Sequence, residues 1–301
     1  MIEGQEGVTW PQWQAIAAAC EEHEIPALFR SDHYLPLEGH HERGVLDAWG
    51  TVCALAATTT RLRLGTLVSP ATFRHPSLLA KLAVTADQIS GGRVELGLGA
   101  GWHEGEHAAY GFPFASTGER IDVFAEQLEI VRGLTSGEGD FSFTGRHYRL
   151  AGVDAQPKPS ALPLIVGGLA KPRSAALAAQ FADEYNTVFA TPEECRERRG
   201  AVERAWSEAG RDPATLRFSL MTGTVIGRDA EQVRDRLEAI RAKRGEPGFE
   251  PAPGWIVGAP DTAAERLRSL ARAGVDRVML QLLLHEDLDQ IELIRELQHM
   301  L

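Results

Sequence analysis

Short apolar runs rich in β-formers alternate with amphipathic helical stretches along most of the chain. The run 26–32 (PALFRSD) predicts a strand that ends in a polar loop, and 61–69, 93–101, 163–168, 184–189, 216–227 and 276–284 read the same way. Between and around them, 10–24, 46–59, 75–90, 117–137, 172–182, 192–210, 230–245, 262–274 and 287–301 carry apolar residues at helical spacing. The clearest is 117–137, where Ile121, Phe124, Leu128 and Val131 form one stripe and Gly133 and Gly137 fall near the end. Pro76 opens the helix at 75–90 and Gly91-Gly92 stops it.

With MIEGQ counted as the end of a first strand, the strand–helix unit recurs eight times. That count predicts an α/β fold, a (β/α)8 TIM barrel occupying residues 1–301 as one domain. A doubly wound sheet would need a glycine fingerprint after its first strand, and GQEG is not GxGxxG. Two segments interrupt the repeat. Residues 140–150 (DFSFTGRHYRL) read as an inserted β-hairpin with a Thr-Gly turn, and 245–255 as a Pro/Gly loop.

Composition narrows the function classes. The chain has 301 residues, 44% hydrophobic and 24% charged, which suits a folded domain with a large core. No run approaches the ~18 apolar residues of a membrane span. A net charge of −11 argues against nucleic acid or an anionic membrane as partner, while leaving room for one local basic pocket that takes a phosphate. Cys20, Cys53 and Cys195 are far apart and form no CxxC, which points to a reducing cytoplasm. The acidic MIEGQEGVTW start lacks the apolar core of a signal peptide.

In a barrel the chemistry sits on loops after the strand C-termini. Those loops carry Ser31-Asp32-His33-Tyr34, Leu67 to His75, Gly99-Ala100-Gly101-Trp102-His103-Glu104 and Gly167-Gly168-Leu169-Ala170-Lys171, with Asn186 and Gln281 on later strands. Asp32-His33 sets a carboxylate beside an imidazole, which suits proton transfer near neutral pH or hydrogen bonding to a cofactor; the alternative is a helix cap and a structural histidine. Gly167 to Ala170 precede a helix that starts Lys171-Pro172-Arg173, a phosphate-binding arrangement or a tight turn. Gly99-Ala100-Gly101 lets a flat ligand approach the backbone or simply turns the chain. Trp102 lines a pocket or packs under its loop. Glu119-Arg120 reads as a structural ion pair, and Trp10, Trp13 and Trp49 as core or interface.

His103-Glu104-Gly105-Glu106-His107 matches HExxH literally, yet it follows a glycine loop and contains a glycine, unlike the long helix of a zinc peptidase. His40 and His41 are the other histidine pair close in sequence. No metal site is expected from either. No GxSxG elbow and no P-loop is present.

The blocks LFRSDHY, LRLGTLVSPATFRHPSLLAKLAVTADQISGGRVELGLGAGWHEGEHAAYGFP, TGERIDVFAEQLEIVRGL and PLIVGGLAKPRSAALAAQFADEYN together resemble the luciferase-like monooxygenase superfamily, and most of all its deazaflavin (F420)-dependent oxidoreductases. The resemblance runs from about residue 8 to the last strand. It implies a (β/α)8 barrel, a homodimer, a small-molecule substrate, and coenzyme F420 at the C-terminal mouth, with FMN as the alternative cofactor. It implies His33 and Trp102 as candidate catalytic residues, His33 as proton donor and Trp102 on the substrate side. It implies Asp32, Thr66, Leu67, Val68, Ser69, Gly99, Ala100, Gly101, Gly167, Gly168, Leu169 and Ala170 as cofactor-binding. It also implies a bulge near Leu67-Val68 with a non-proline cis peptide. Trp102 stands where the family's sugar-phosphate dehydrogenases carry Glu, which argues against a glucose-6-phosphate substrate. One departure is visible: the family has several more residues of strand one than MIEGQ supplies.

The functional expectation is F420-dependent hydride transfer to or from a small organic substrate. The alternatives are an FMN-dependent monooxygenase using O2 and a non-catalytic flavin-binding barrel. Trp102, Phe112, Phe114 and Trp255 suggest a bulky apolar or aromatic substrate.

Overall fold

The computed structural model describes residues 1–37, 42–137 and 139–301. The first half runs α1 (Trp10–Glu22), β1 (Ala27–Arg30), α2 (Ala48–Thr58), β2 (Arg63–Pro70), α3 (Pro76–Ser90), β3 (Val94–Gly99), α4 (Glu104–Tyr110) and α5 (Thr117–Ser136). The antiparallel hairpin β4 (Phe141–Thr144) and β5 (Arg149–Val153) follows, turning as Gly145 N–H donates to Tyr148 O at 3.0 Å. The second half continues with β6 (Leu164–Gly167), α6 (Pro172–Phe181), β7 (Glu184–Val188), α7 (Pro192–Glu208), β8 (Arg217–Ile226), α8 (Ala230–Arg244), β9 (Ile256–Gly258), α9 (Pro260–Arg272), β10 (Arg277–Gln281) and α10 (Asp289–Met300).

The main sheet is parallel, in the order β1-β2-β3-β6-β7-β8-β10. Ile2 bridges both Arg30 and Leu282, joining the two ends of that order, so the sheet curls into the TIM-barrel arrangement that the eightfold repeat predicts. The stave expected from residues 1–5 is thus a single bridging residue. Ile2 N–H donates to Phe29 O at 3.0 Å, and the chain turns at once as Glu6 N–H donates to Glu3 O at 3.1 Å. The loop at 245–255 also ends differently from its sequence reading: β9 follows it and pairs with the end of β8, Thr224 opposite Ile256.

Local chemistry explains the element ends. Asp47 caps α2 by accepting from Gly50 N–H at 2.8 Å, and Thr191 and Glu194 form a capping box on α7. Gly91 ends α3 in the left-handed region at φ 71°.

The core has two main layers and a smaller third cluster of Val225, Val233 and Ile240. Phe29, Leu67, Ile165, Met221 and Met279 fill the barrel interior. Trp13, Trp49, Trp206, Leu96 and Leu128 belong to the larger cluster between sheet and helices. Trp13 and Trp49 are therefore core residues, as read from the sequence.

The register of β2 on β3 shifts between Thr66 and Ser69, and the Leu67-Val68 peptide is cis. The Val68 side chain swings over neighbouring strands at positions where no Cβ exists. A Cβ on Gly97 would lie 3.0 Å from Val68 Cγ1 and 2.1 Å from Thr66 O, and one on Gly99 would lie 2.7 Å from Val68 Cγ2. Gly97→Ala is therefore expected to cost about 1–3 kcal/mol through overpacking. Denaturant unfolding checks this; an unshifted midpoint would show that the bulge tolerates the methyl group.

Candidate active site

At the C-terminal ends of the strands lies a cavity of about 1340 Å³. Of the residues singled out by sequence, His33, Leu67 and Val68 line it from β1 and β2, Gly99 to Trp102 from β3, and Gly167 to Leu169 from β6. Asp32, Thr66, Ser69 and Ala170 are buried but do not line it. Strand alternation accounts for the first loop: Ser31 and His33 face the cavity, while Arg30 and Asp32 turn away from it.

His33 is held by a residue that the sequence presented as part of a zinc-like motif. Its Nδ1 lies 2.8 Å from Oε2 of Glu106, a fully buried carboxylate. The other carboxylate oxygen accepts the N–H of Tyr34, and that of Leu35 at 3.1 Å, so Glu106 also fixes the backbone after His33. Helix α4 presents Glu106: His103 caps the helix by accepting from Glu106 N–H at 3.0 Å. His107 hydrogen-bonds His103 O and the Thr72 hydroxyl, each at 2.7 Å. All three side chains are thus engaged in hydrogen bonding. His40 and His41 lie outside the described residues.

The pair is electrostatically matched. Burial pulls the His33 imidazole toward neutrality, but hydrogen bonding and charge from Glu106 outweigh it, and its pKa is raised. Burial pushes the Glu106 carboxyl up, yet His33 and the two backbone N–H groups outweigh it, and its pKa is lowered. An ionised carboxylate can only accept, so Nδ1 carries the proton in this contact and Nε2 is the ring atom left for exchange. Among the described residues Nε2 has no hydrogen-bond partner in the protein.

Glu106→Gln keeps the shape and removes the charge. The His33 pKa is expected to fall. An NMR titration of the imidazole reads this directly, and an unmoved midpoint would remove Glu106 as its cause.

Asp32 works behind the cavity wall. Arg74 donates to both its oxygens, at 2.6 and 3.1 Å, and Ser69 Oγ donates to it at 2.6 Å. Arg74 also reaches Asp47 at 2.8 Å and the Tyr34 hydroxyl at 2.7 Å. Ser69 Oγ in turn accepts from Trp49 Nε1 at 3.0 Å and lies 3.0 Å from the Thr66 hydroxyl. This network ties the first two strand-end loops together. Nothing local in the sequence marks Arg74 for this role.

At the glycine turn after β6, two backbone N–H groups already have partners within the protein. Gly168 N–H is taken by Asn186 O at 3.0 Å and Ala170 N–H by the Tyr185 hydroxyl at 2.7 Å. Arg173 is engaged by Asp122 at 2.5 Å. Lys171 lines the cavity and forms no ion pair among the described residues. Arg173 lines the cavity as well, so both cations stand at this turn.

Other expectations shift as well. Arg120 does not pair with Glu119; it donates to Gly101 O at 3.3 Å and Ala115 O at 2.5 Å, bracing the loop that carries Trp102. Phe112 packs against Tyr34 and Phe73 and Phe114 against His107, both away from the cavity. Trp102 and Trp255 do line it, joined by Leu169, Phe189 and Phe249, which sequence reading did not single out for substrate contact. At the floor, Gln281 donates to Glu3 at 2.6 Å. No helix of the described residues is long and apolar enough to cross a membrane.

The fold agrees with the comparisons. A sequence profile of the luciferase-like monooxygenase family matches residues 4–277, and the chain belongs to that family of flavin- and F420-dependent oxidoreductases. A Mycobacterium tuberculosis F420-dependent hydroxymycolic acid dehydrogenase is 30% identical over 262 residues, 81% of this chain and 71% of that protein. An uncharacterized protein of the same species is 36% identical over 191 residues, covering 61% of this chain and 64% of the relative, under two thirds of its length. The structure of an F420-dependent secondary alcohol dehydrogenase with an F420–acetone adduct superposes with a TM-score of 0.81 at 20% identity, covering 94% of this chain and 92% of that one.

Proposed function

We propose that this protein is an F420-dependent oxidoreductase that moves hydride between the deazaflavin and a small organic substrate. The observation that carries the reading is the His33–Glu106 pair, an imidazole on a cavity wall with a buried carboxylate on its inner nitrogen. The name of the 30% identical relative supports F420 over FMN.

The cavity walls suit a flat, anionic-tailed cofactor. Leu67 and Val68 project from the bulge, the side-chain-free Gly99 and Gly101 line the loop beside them, and Lys171 stands by the glycine turn. These residues would hold the ring and the phosphate end. When bound, the deazaflavin supplies a two-electron carrier that passes hydride without activating O2. His33 Nε2 provides the proton that a substrate oxygen takes up as it is reduced, or receives it in the reverse direction. Glu106 keeps Nδ1 protonated throughout and orients the ring. Asp32 and Arg74 hold the backbone that carries His33. Trp102 and the apolar walls limit water at the reacting centre.

The pH dependence follows with a definite sign. In the proton-donating direction the active form is the imidazolium, so kcat/KM should hold below the raised His33 pKa and fall above it. In the reverse direction it should rise with pH through the same value. The direct test is binding: titrate the purified protein with F420 and, separately, with FMN, following quenching of cofactor fluorescence. Tight F420 and weak FMN binding is the expected result; tight FMN with weak F420 would overturn the reading.

A further inference from the structure

The segment from Gly101 to Glu106 reaches His33 with three side chains, and the proton transfer described above uses only the last of them. Glu106 holds Nδ1 at 2.8 Å. One hydrogen bond fixes one atom of the ring and leaves its plane free to tilt, and that plane decides where Nε2 points. Two further rings limit the tilt. The Trp102 ring has its centroid 5.9 Å from that of His33, with the planes at 80°. His103 stands at 6.3 Å and 82°. Trp102 and His103 also meet each other edge to face, at 5.1 Å and 83°. Edge-to-face pairs at such separations are attractive and directional.

The backbone holds Trp102 in this place. Gly101 has φ +79°, and a Cβ there would lie 2.6 Å from Thr72 Oγ1, a hydroxyl already bound to His107 at 2.7 Å. Arg120 donates to Gly101 O at 3.3 Å. His103 accepts from Glu106 N–H at 3.0 Å, so a ring that touches His33 also caps the helix that presents its carboxylate. Trp102 is 63% exposed, whereas the His33 side chain is 12% exposed. An indole left that open contributes little to the core, and its aromatic contacts are the two imidazoles.

Resting on the proposed oxidoreductase reading, we propose that Trp102 is a positioning residue, whose ring fixes the plane of His33 so that Nε2 faces the reacting atoms in the cavity. Trp102 acts through the imidazole and is more than a wall against the substrate. A wall residue changes substrate affinity, whereas a residue that aligns the proton donor changes the rate at saturating substrate.

The contact is tested first in the cofactor-free protein. A protonated imidazole quenches a neighbouring indole, so part of the tryptophan emission should titrate at the midpoint that NMR gives for His33. The charged groups acting on His33 are Glu106 from α4, Glu3 from the N-terminal turn and Asp32, itself paired with Arg74; all remain when Trp102 is replaced. Trp102→Phe and His33→Ala should each abolish the titrating emission. Turnover is tested with reduced F420 and a panel of small ketones under anaerobic conditions. Trp102→Ala should lower kcat about tenfold with a smaller change in KM, and Trp102→Phe, which keeps an aromatic ring, should recover most of that rate. A change in KM alone, equal losses in the two variants, or emission that does not follow His33 would overturn the proposal. Emission that follows His33 in a protein that does not bind F420 would refute the cofactor reading and leave the Trp102–His33 contact standing.

Discussion

Replacing His33 with Ala should lower kcat/KM by about 10²–10⁴-fold, the range for loss of a positioned proton donor. The ring is on the cavity wall, and its inner nitrogen is committed to Glu106 at 2.8 Å. Among the described residues, the nearby His103 and His107 are engaged within α4 and with Thr72. The loss should appear in kcat more than in F420 affinity, because the glycine turn and the β2 bulge do not depend on the His33 ring. The pH limb assigned to His33 should disappear with it. Steady-state kinetics across pH, alongside a cofactor titration, checks both parts. Full turnover by the variant would remove His33 from the mechanism.

Arg277→Met should destabilise the protein by about 3–5 kcal/mol, the cost of stripping the partner from buried carboxylates. Arg277, at the start of β10, reaches across the barrel floor to Glu95 on β3 and Glu184 on β7, with closest contacts of 2.7 Å to each. Both glutamates are 2% exposed. Burial pushes the Glu95 carboxyl up, but Arg277 and Arg63 hold it below its ordinary value; for Glu184 burial prevails and the pKa is raised. Without the guanidinium, Glu95 would keep Arg63 at 2.5 Å, while Glu184 would keep only the more distant Arg217 at 3.9 Å. The deficit should therefore narrow as pH falls toward carboxylate protonation. Denaturant unfolding at neutral and acidic pH measures this; a small, pH-independent loss would mean that solvent already screens the cluster.

Much of the architecture was legible in the chain because each barrel unit carries two periodicities, alternation or a short apolar run followed by a helical stripe. Failures came where an element is too short to show a period. Ile2 forms its stave with one residue, and β9 has three. The cavity residues were legible as strand-end loops, and strand parity explains why Ser31 and His33 face it while Asp32 does not. The bulge breaks that parity in β2, bringing consecutive residues Leu67 and Val68 to the cavity. What local pattern could not supply was pairing at a distance. Glu106 lies 73 residues from His33, at a variable position of the HExxH match, and nothing local marks it as an imidazole's partner. Arg74 was equally silent, since its 42-residue reach to Asp32 exists only after the barrel closes.

The proposed reaction is hydride transfer with F420, without oxygen. Mix the enzyme with reduced F420 and a panel of small ketones under strict anaerobiosis, and follow the return of the oxidised deazaflavin's visible absorbance in one turnover. The expected result is full oxidation of the cofactor with stoichiometric alcohol formation, lost in His33→Ala. Cofactor oxidation that requires O2, or turnover obtained only with reduced FMN and O2, would contradict it.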